Sequence, residues 1–138
     1  MPSRTGLGEA GALDGRRVAR ARAEGLGAED AARLSRLLTL LADPVRVRIL
    51  DALDLVEELS VGDIALALDA TEDAVGYALR MLRTAGLVQT RKEGRVVHYR
   101  LAERFPEPLL EHCLRELLHL SELAAREAEP ARRRAATR

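Results

Sequence analysis

The chain has 138 residues, with 22 basic side chains against 22 acidic ones and a formal net charge of zero. That length fits one small domain with tails, and neutrality excludes a strongly basic, sequence-indifferent coat for nucleic acid while leaving room for a local basic face. The single cysteine, Cys113, excludes an intramolecular disulfide and a cysteine-rich zinc finger, and with no membrane-length apolar run and no signal-peptide pattern a cytoplasmic chain is expected.

Residues 1–28 are rich in Gly, Ala and Arg and lack a sustained apolar period. They read as a flexible N-terminal arm with a turn of helix near Arg16 to Ala23. A domain is expected over residues 29–127. Leu34, Leu37, Leu38 and Leu41 recur at helical spacing. Asp43-Pro44 then restarts the chain, Asp43 as a cap and Pro44 in a first helical turn. The next helix is expected to turn Val45, Ile49, Leu50, Leu53 and Val56 inward.

Ser60 is a candidate N-cap for a short helix over Val61 to Leu68. Asp69, Ala70 and Thr71 make a turn, and Thr71 caps a second helix from Glu72 to Thr84. Glu72 and Asp73 suit the positive end of that helix. Val75, Leu79 and Leu82 form its core stripe, and Gly86 fits the position just past its end, where φ turns positive. A hairpin pattern follows: LVQTR, a charged turn KEG, then RVVHYRL. In its second strand Val97, Tyr99 and Leu101 alternate with Val96, His98 and Arg100.

A last helix is expected from Pro106 or Pro108. Leu110, Leu114, Leu117, Ser121 and Ala124 lie along one side, with Cys113 leaning toward it as a buried small residue. That stripe suits packing on a partner helix. Residues 128–138 read as a disordered basic tail.

Helix, turn, helix and two-stranded wing is the order of a winged helix-turn-helix, mainly α with a small β-hairpin, and that order points toward DNA. With Val75, Leu79 and Leu82 inward, the free face of the second helix carries Asp73, Gly76, Tyr77, Arg80 and Arg83, with Thr71 at its start. Arginine forks suit phosphate and guanine. Gly76 costs roughly 1 kcal/mol against Ala inside a helix, a cost that close approach to DNA would explain. The wing adds Arg91, Lys92 and Arg95 around the Glu93-Gly94 turn, suited to phosphate or minor-groove contacts. A solvated charged surface is the plainer reading of the same residues.

His112, Glu116 and His119 stand at i, i+4 and i+7, one face of a straight helix, with Glu122 a little around it. Imidazole plus carboxylate suits zinc, nickel or cobalt. One helix encloses an ion poorly, so Glu103 or another group from a partner subunit has to complete the site. The alternative is a solvated face laced with pairs such as Glu111 and Arg115.

Three segments resemble the ArsR/SmtB family of bacterial repressors: LADPVRVRILDAL, ELSVGDIALALDATEDAVGYALRMLRTAGLV and RKEGRVVHYRL. The resemblance covers about Leu37 to Leu101, and the final helix fits as well. It implies a homodimer joined through its first and last helices, which releases operator DNA when a metal or another inducer binds. The chain departs from the family pattern on the helix-turn-helix and ahead of the last helix. Ser60 stands where many metal-sensing relatives have cysteine, and serine is a poor soft-metal ligand. Gly76-Tyr77 replaces a frequent Ser-His pair, so the operator does not carry over. His119-x-x-Glu122 matches half of the last-helix zinc site. In the other half Glu103 stands near an Asp position and Phe105 replaces a His, with Pro106-Glu107-Pro108 inserted.

The expectation is a homodimeric, sequence-specific transcriptional regulator, a repressor that binds double-stranded operator DNA and responds to a transition metal at the last helix. The alternatives are a non-metal inducer or a winged helix used for protein assembly. No nucleophile–base pairing or phosphate loop suggests an enzyme.

Overall fold

The computed structural model describes residues 14–106 and 108–137, with side chains through Glu129. Residues 1–13 of the expected arm lie outside it. The chain forms two compact units, one ending at Leu38 and one beginning at Thr39.

In the first unit, helix α1 covers Gly15–Glu24. This is ten residues where the sequence suggests a single turn. Asp14 explains the difference: its carboxylate accepts from Arg16 N at 3.0 Å and Arg17 N at 3.3 Å, a capping contribution of about 1 kcal/mol. Arg20 and Glu24 pair one turn apart at 2.6 Å. Helix α2, Ala28–Leu41, begins in this unit, carries Glu29 and Asp30 in its first turn and ends three residues into the second. Leu34, Leu37 and Leu38 are exposed on it.

The second unit holds the core. Helix α3 covers Pro44–Val56, and Asp43 accepts from Arg46 N at 3.0 Å. Ile49, Leu50 and Leu53 are buried, but Val56, expected inward, is 55% exposed because the chain leaves the helix there. That exit is a γ-turn. Glu57 takes φ 67° and ψ −49°, and Glu58 N donates to Val56 O at 2.7 Å. Such a turn costs a non-glycine residue of order 1–3 kcal/mol.

Strand β1 is only Leu59–Ser60, and helix α4 follows at Val61–Leu68. Ser60 Oγ accepts from Asp63 N at 3.2 Å, as the cap pattern predicts. Asp69 ends α4 in the left-handed region, which a short polar side chain tolerates. Arg48 Nη1 donates to Leu68 O at 3.0 Å and ties α3 to that helix end. Helix α5 covers Glu72–Thr84, with Thr71 Oγ1 accepting from Ala74 N at 3.1 Å. Gly86 has φ +79°, the conformation its helix-ending role requires.

Strands β2, Val88–Glu93, and β3, Val96–Leu101, form the wing. The expected two-stranded wing is part of a three-stranded antiparallel sheet in the order β1-β3-β2. Leu59 pairs with Tyr99 and Ser60 with His98. A two-residue strand has no period to read, so β1 left no signal in the sequence.

The last helix opens with a π-helical turn, Leu109–Leu114, and continues as α6, Arg115–Thr137. Hydrogen bonding from i to i+5 rotates the face expected from α-helical spacing. Leu110 is buried and Leu114 half-buried, but Cys113, expected buried, is exposed. The backbone stays helical past Pro130, where a disordered tail was expected; Ala and Arg are among the strongest helix formers and dominate that segment. Arg115 Nη2 reaches Asp51 Oδ1 at 3.1 Å and links α6 to α3. Among the described residues no helix is long and apolar enough to cross a membrane.

Candidate nucleic-acid interface

Helix α5 is divided as its sequence pattern requires. Val75, Ala78, Leu79 and Leu82 are buried in one cluster with Ile49, Leu50, Leu53 and Ile64. Thr71, Asp73, Tyr77, Arg80 and Arg83 are exposed, and Gly76 is half-buried. A Cβ at Gly76 would meet nothing within 4 Å, so no packing within the protein requires glycine there. Tyr77 is 54% exposed, and the Arg80 guanidinium lies over its ring at 6.0 Å from the centroid. That stacking limits the rotamers of both side chains. Thr84 Oγ1 donates to Arg80 O at 2.9 Å near the helix end.

The wing residues divide into two kinds. Lys92 and Arg95 are exposed and make no ion pair among the described residues, whereas Arg91 is heavily engaged. Arg91 Nη2 and Nε donate to the Glu58 carboxylate, and Nη1 donates to Glu93 Oε2 at 3.1 Å. His98 stands between the two acids, Nδ1 3.7 Å from Glu58 Oε1 and Nε2 3.7 Å from Glu93 Oε2. No local pattern announces this cluster, because Glu58 lies 33 residues from Arg91.

Hydrogen bonds from Arg91 hold the Glu58 carboxyl below its ordinary value, and the charges of Arg91, His98 and Arg100 add to the effect against partial desolvation. A carboxyl with a depressed folded-state pKa adds stability that is present above its unfolded value and lost as pH falls through the lowered one. Arg91→Ala is therefore expected to raise the titration midpoint of Glu58, followed by carboxyl carbon NMR. An unchanged midpoint would show that the pair does not persist in solution.

The metal-ligand candidates do not converge within one chain. Among the described residues no three His, Cys, Asp or Glu side chains come together as a metal group. His112 lies in the π-helical turn, so a spacing worked out for one straight α-helix does not hold for it. Glu116, His119 and Glu122 are exposed on α6; each step of three turns them by roughly 60° around the axis. Glu103 instead lines a cleft of about 440 Å³ with Asp54, Glu57, Glu58 and Arg100, whose lining includes neither His112 nor His119. Among the described residues, these candidates do not form a closed metal site within the chain.

Residues 43–90 match the model described as "Bacterial regulatory protein, arsR family". The chain is 40% identical over 80 residues to a transcriptional repressor SmtB homolog from Synechocystis, covering 58% of this chain and 60% of that protein. It is 32% identical over 92 residues to a cadmium resistance transcriptional regulatory protein CadC homolog from Staphylococcus aureus, covering 67% of this chain and 74% of that one. The chain belongs to the ArsR family of bacterial regulatory proteins.

Reduced HlyU from Vibrio cholerae, a solved structure, superposes on this ArsR-family chain with a TM-score of 0.55 at 36% identity, over 66% of this chain and 90% of its own. The winged-helix fold is that of the family, whose members are regulators and not enzymes. The matched ArsR segment runs from the cap of α3 into β2. It takes in helix α5 and most of the buried core and stops before Glu103 and the last helix, which carry the metal candidates. The alignments with the SmtB homolog and with the Escherichia coli arsenical resistance operon repressor each span 60% of those proteins' length.

Proposed function

We propose that this chain is a homodimeric repressor in the cytoplasm that binds a specific double-stranded operator. The observation that carries the reading is helix α5, with one face fully buried and the other presenting Tyr77, Arg80 and Arg83 to solvent. Thr71, Asp73 and Gly76 belong to the same surface, and the exposed Lys92 and Arg95 of the wing extend it. Family membership supports the same conclusion. Dimerisation is supported by Leu117, Leu118, Leu120 and Leu123, which are exposed on α6, and by Leu34, Leu37 and Leu38 on α2. So many exposed leucines on two helices suit burial against a second copy.

In this reading DNA binding answers to a transition metal, zinc, nickel or cobalt, taken up where α6 meets its partner. His119 and Glu122, one turn apart, would be its ligands in each chain, with Glu116, His112 or Glu103 completing the set from the other. The regulator of Staphylococcus aureus is named for cadmium resistance, which supports a metal without choosing one. The exposure of Cys113 favours a second reading, a redox or other non-metal inducer.

Calorimetric titration of the dimer with zinc, nickel and cobalt, alongside affinity for a duplex from the chain's own promoter region, tests both parts. Salt-dependent, sequence-selective binding that weakens with metal, and a response abolished by His119→Ala, are expected. A response that survives His119→Ala would move sensing elsewhere. No preference for promoter over random duplex would remove the operator reading.

A further inference from the structure

The wing projects from the sheet as a two-stranded ribbon, and an isolated ribbon of that kind is only marginally stable in water. Something other than its own ladder has to fix its position. In β2, Arg91 pairs directly with His98 of β3, and His98 pairs with Ser60 of β1. Alternation along the strands puts Arg91, Glu93 and His98 on one face of the sheet. Val88, Tyr99 and Leu101, on the other face, pack with the core, and Lys92 shares that parity. Arg91 and Lys92 therefore point to opposite sides of the wing.

Glu58 approaches the Arg91 face from outside the ribbon. The γ-turn at Glu57 brings it there, a strained conformation immediately before the residue that uses it. Its carboxylate takes two nitrogens of the Arg91 guanidinium, and Glu93 takes the third. All three nitrogens of Arg91 are thus committed inside the protein. The side chain is 47% exposed and that of Glu58 only 26%, so the pair is partly withdrawn from water. A bidentate fork with a second carboxylate is the geometry in which such a pair resists solvent competition.

We propose that Glu58 is a positioning residue for the wing, and that Arg91 is the strut it clamps rather than a phosphate contact. Phosphate contact from the wing then falls to Lys92 and Arg95. The consequence for DNA rests on the operator reading above; the clamp itself does not.

The test uses the full chain and a short duplex selected by the wild-type protein from a random-sequence pool. Affinity is measured across a potassium chloride series. Amide hydrogen exchange of residues 91–96 is followed in the DNA-free protein. Glu58→Gln and Arg91→Ala are each expected to speed wing exchange and to weaken binding by about three- to tenfold. The slope of log affinity against log salt stays unchanged for both. The double variant is no worse than either single one, and the exchanged pair Glu58→Arg with Arg91→Glu recovers much of the loss. Lys92→Ala, in contrast, lowers the slope by about 0.9.

If Arg91→Ala lowers the slope by that amount and Glu58→Gln tightens binding, Arg91 is a phosphate contact and the proposal falls. Wing exchange unchanged in both variants overturns it as well. If the wild-type protein selects no duplex, the operator reading fails and the exchange rates alone judge the clamp.

Discussion

Leu79→Ala is expected to destabilise the second unit by about 2–5 kcal/mol. Leu79 has no exposed surface and lies on the inner face of α5, in the cluster that includes Ile49, Leu50, Leu53, Ile64, Val75 and Leu82. Removing three carbons there loses their transfer energy and leaves a cavity that the surrounding helices close only in part. A domain of this size holds about 5–15 kcal/mol in total, so this one change takes a large share. Urea unfolding at fixed protein concentration measures the effect. Leu79→Met, which roughly conserves volume, is expected to cost less than about 1.5 kcal/mol. A similar small cost for Ala would mean that α5 is not packed as described.

Arg80→Ala and Arg83→Ala are expected to act on DNA and not on the fold. Both side chains are exposed and make no ion pair among the described residues, so each change should leave stability within about 0.5 kcal/mol. On binding, loss of a base or phosphate contact is worth roughly 1–3 kcal/mol, about 5- to 150-fold in affinity. The salt series separates the two roles. A phosphate contact lowers the slope by about 0.9 and weakens all sequences alike. A guanine contact leaves more of the slope and relaxes preference at one position. Tyr77→Ala should reproduce part of the Arg80 loss, because the ring holds the guanidinium in place. Undiminished DNA binding by the doubly substituted protein would show that Arg80 and Arg83 are not operator contacts.

The candidate DNA surface was legible where its signals are local. Thr71 and Gly86 bracket α5, and the apolar period between them assigns its faces, so the exposed set follows without knowledge of neighbours. Ser60 and Asp43 cap their helices in the same way. The wing followed from strand alternation around a glycine turn. Arg91 shows the limit: counted by type and position it belongs with Lys92 and Arg95, yet its charge is taken up by Glu58 and Glu93. The metal candidates show another. Their spacing presumes an unbroken α-helix, and the π-helical turn over Leu109–Leu114 removes that premise for His112.

Local signals in the sequence were enough for the order of the principal helices and the wing, the caps at Asp43, Ser60 and Thr71, the buried stripe of α5 and the exposed face opposite it. Each is set by interactions within one or two turns, which propensity and periodicity report. The third strand at Leu59–Ser60, the exposure of Cys113 and the capture of Arg91 by Glu58 emerged with the fold. Each of these depends on pairing between residues distant in the chain or on a change of helical winding, neither of which leaves a local pattern to read.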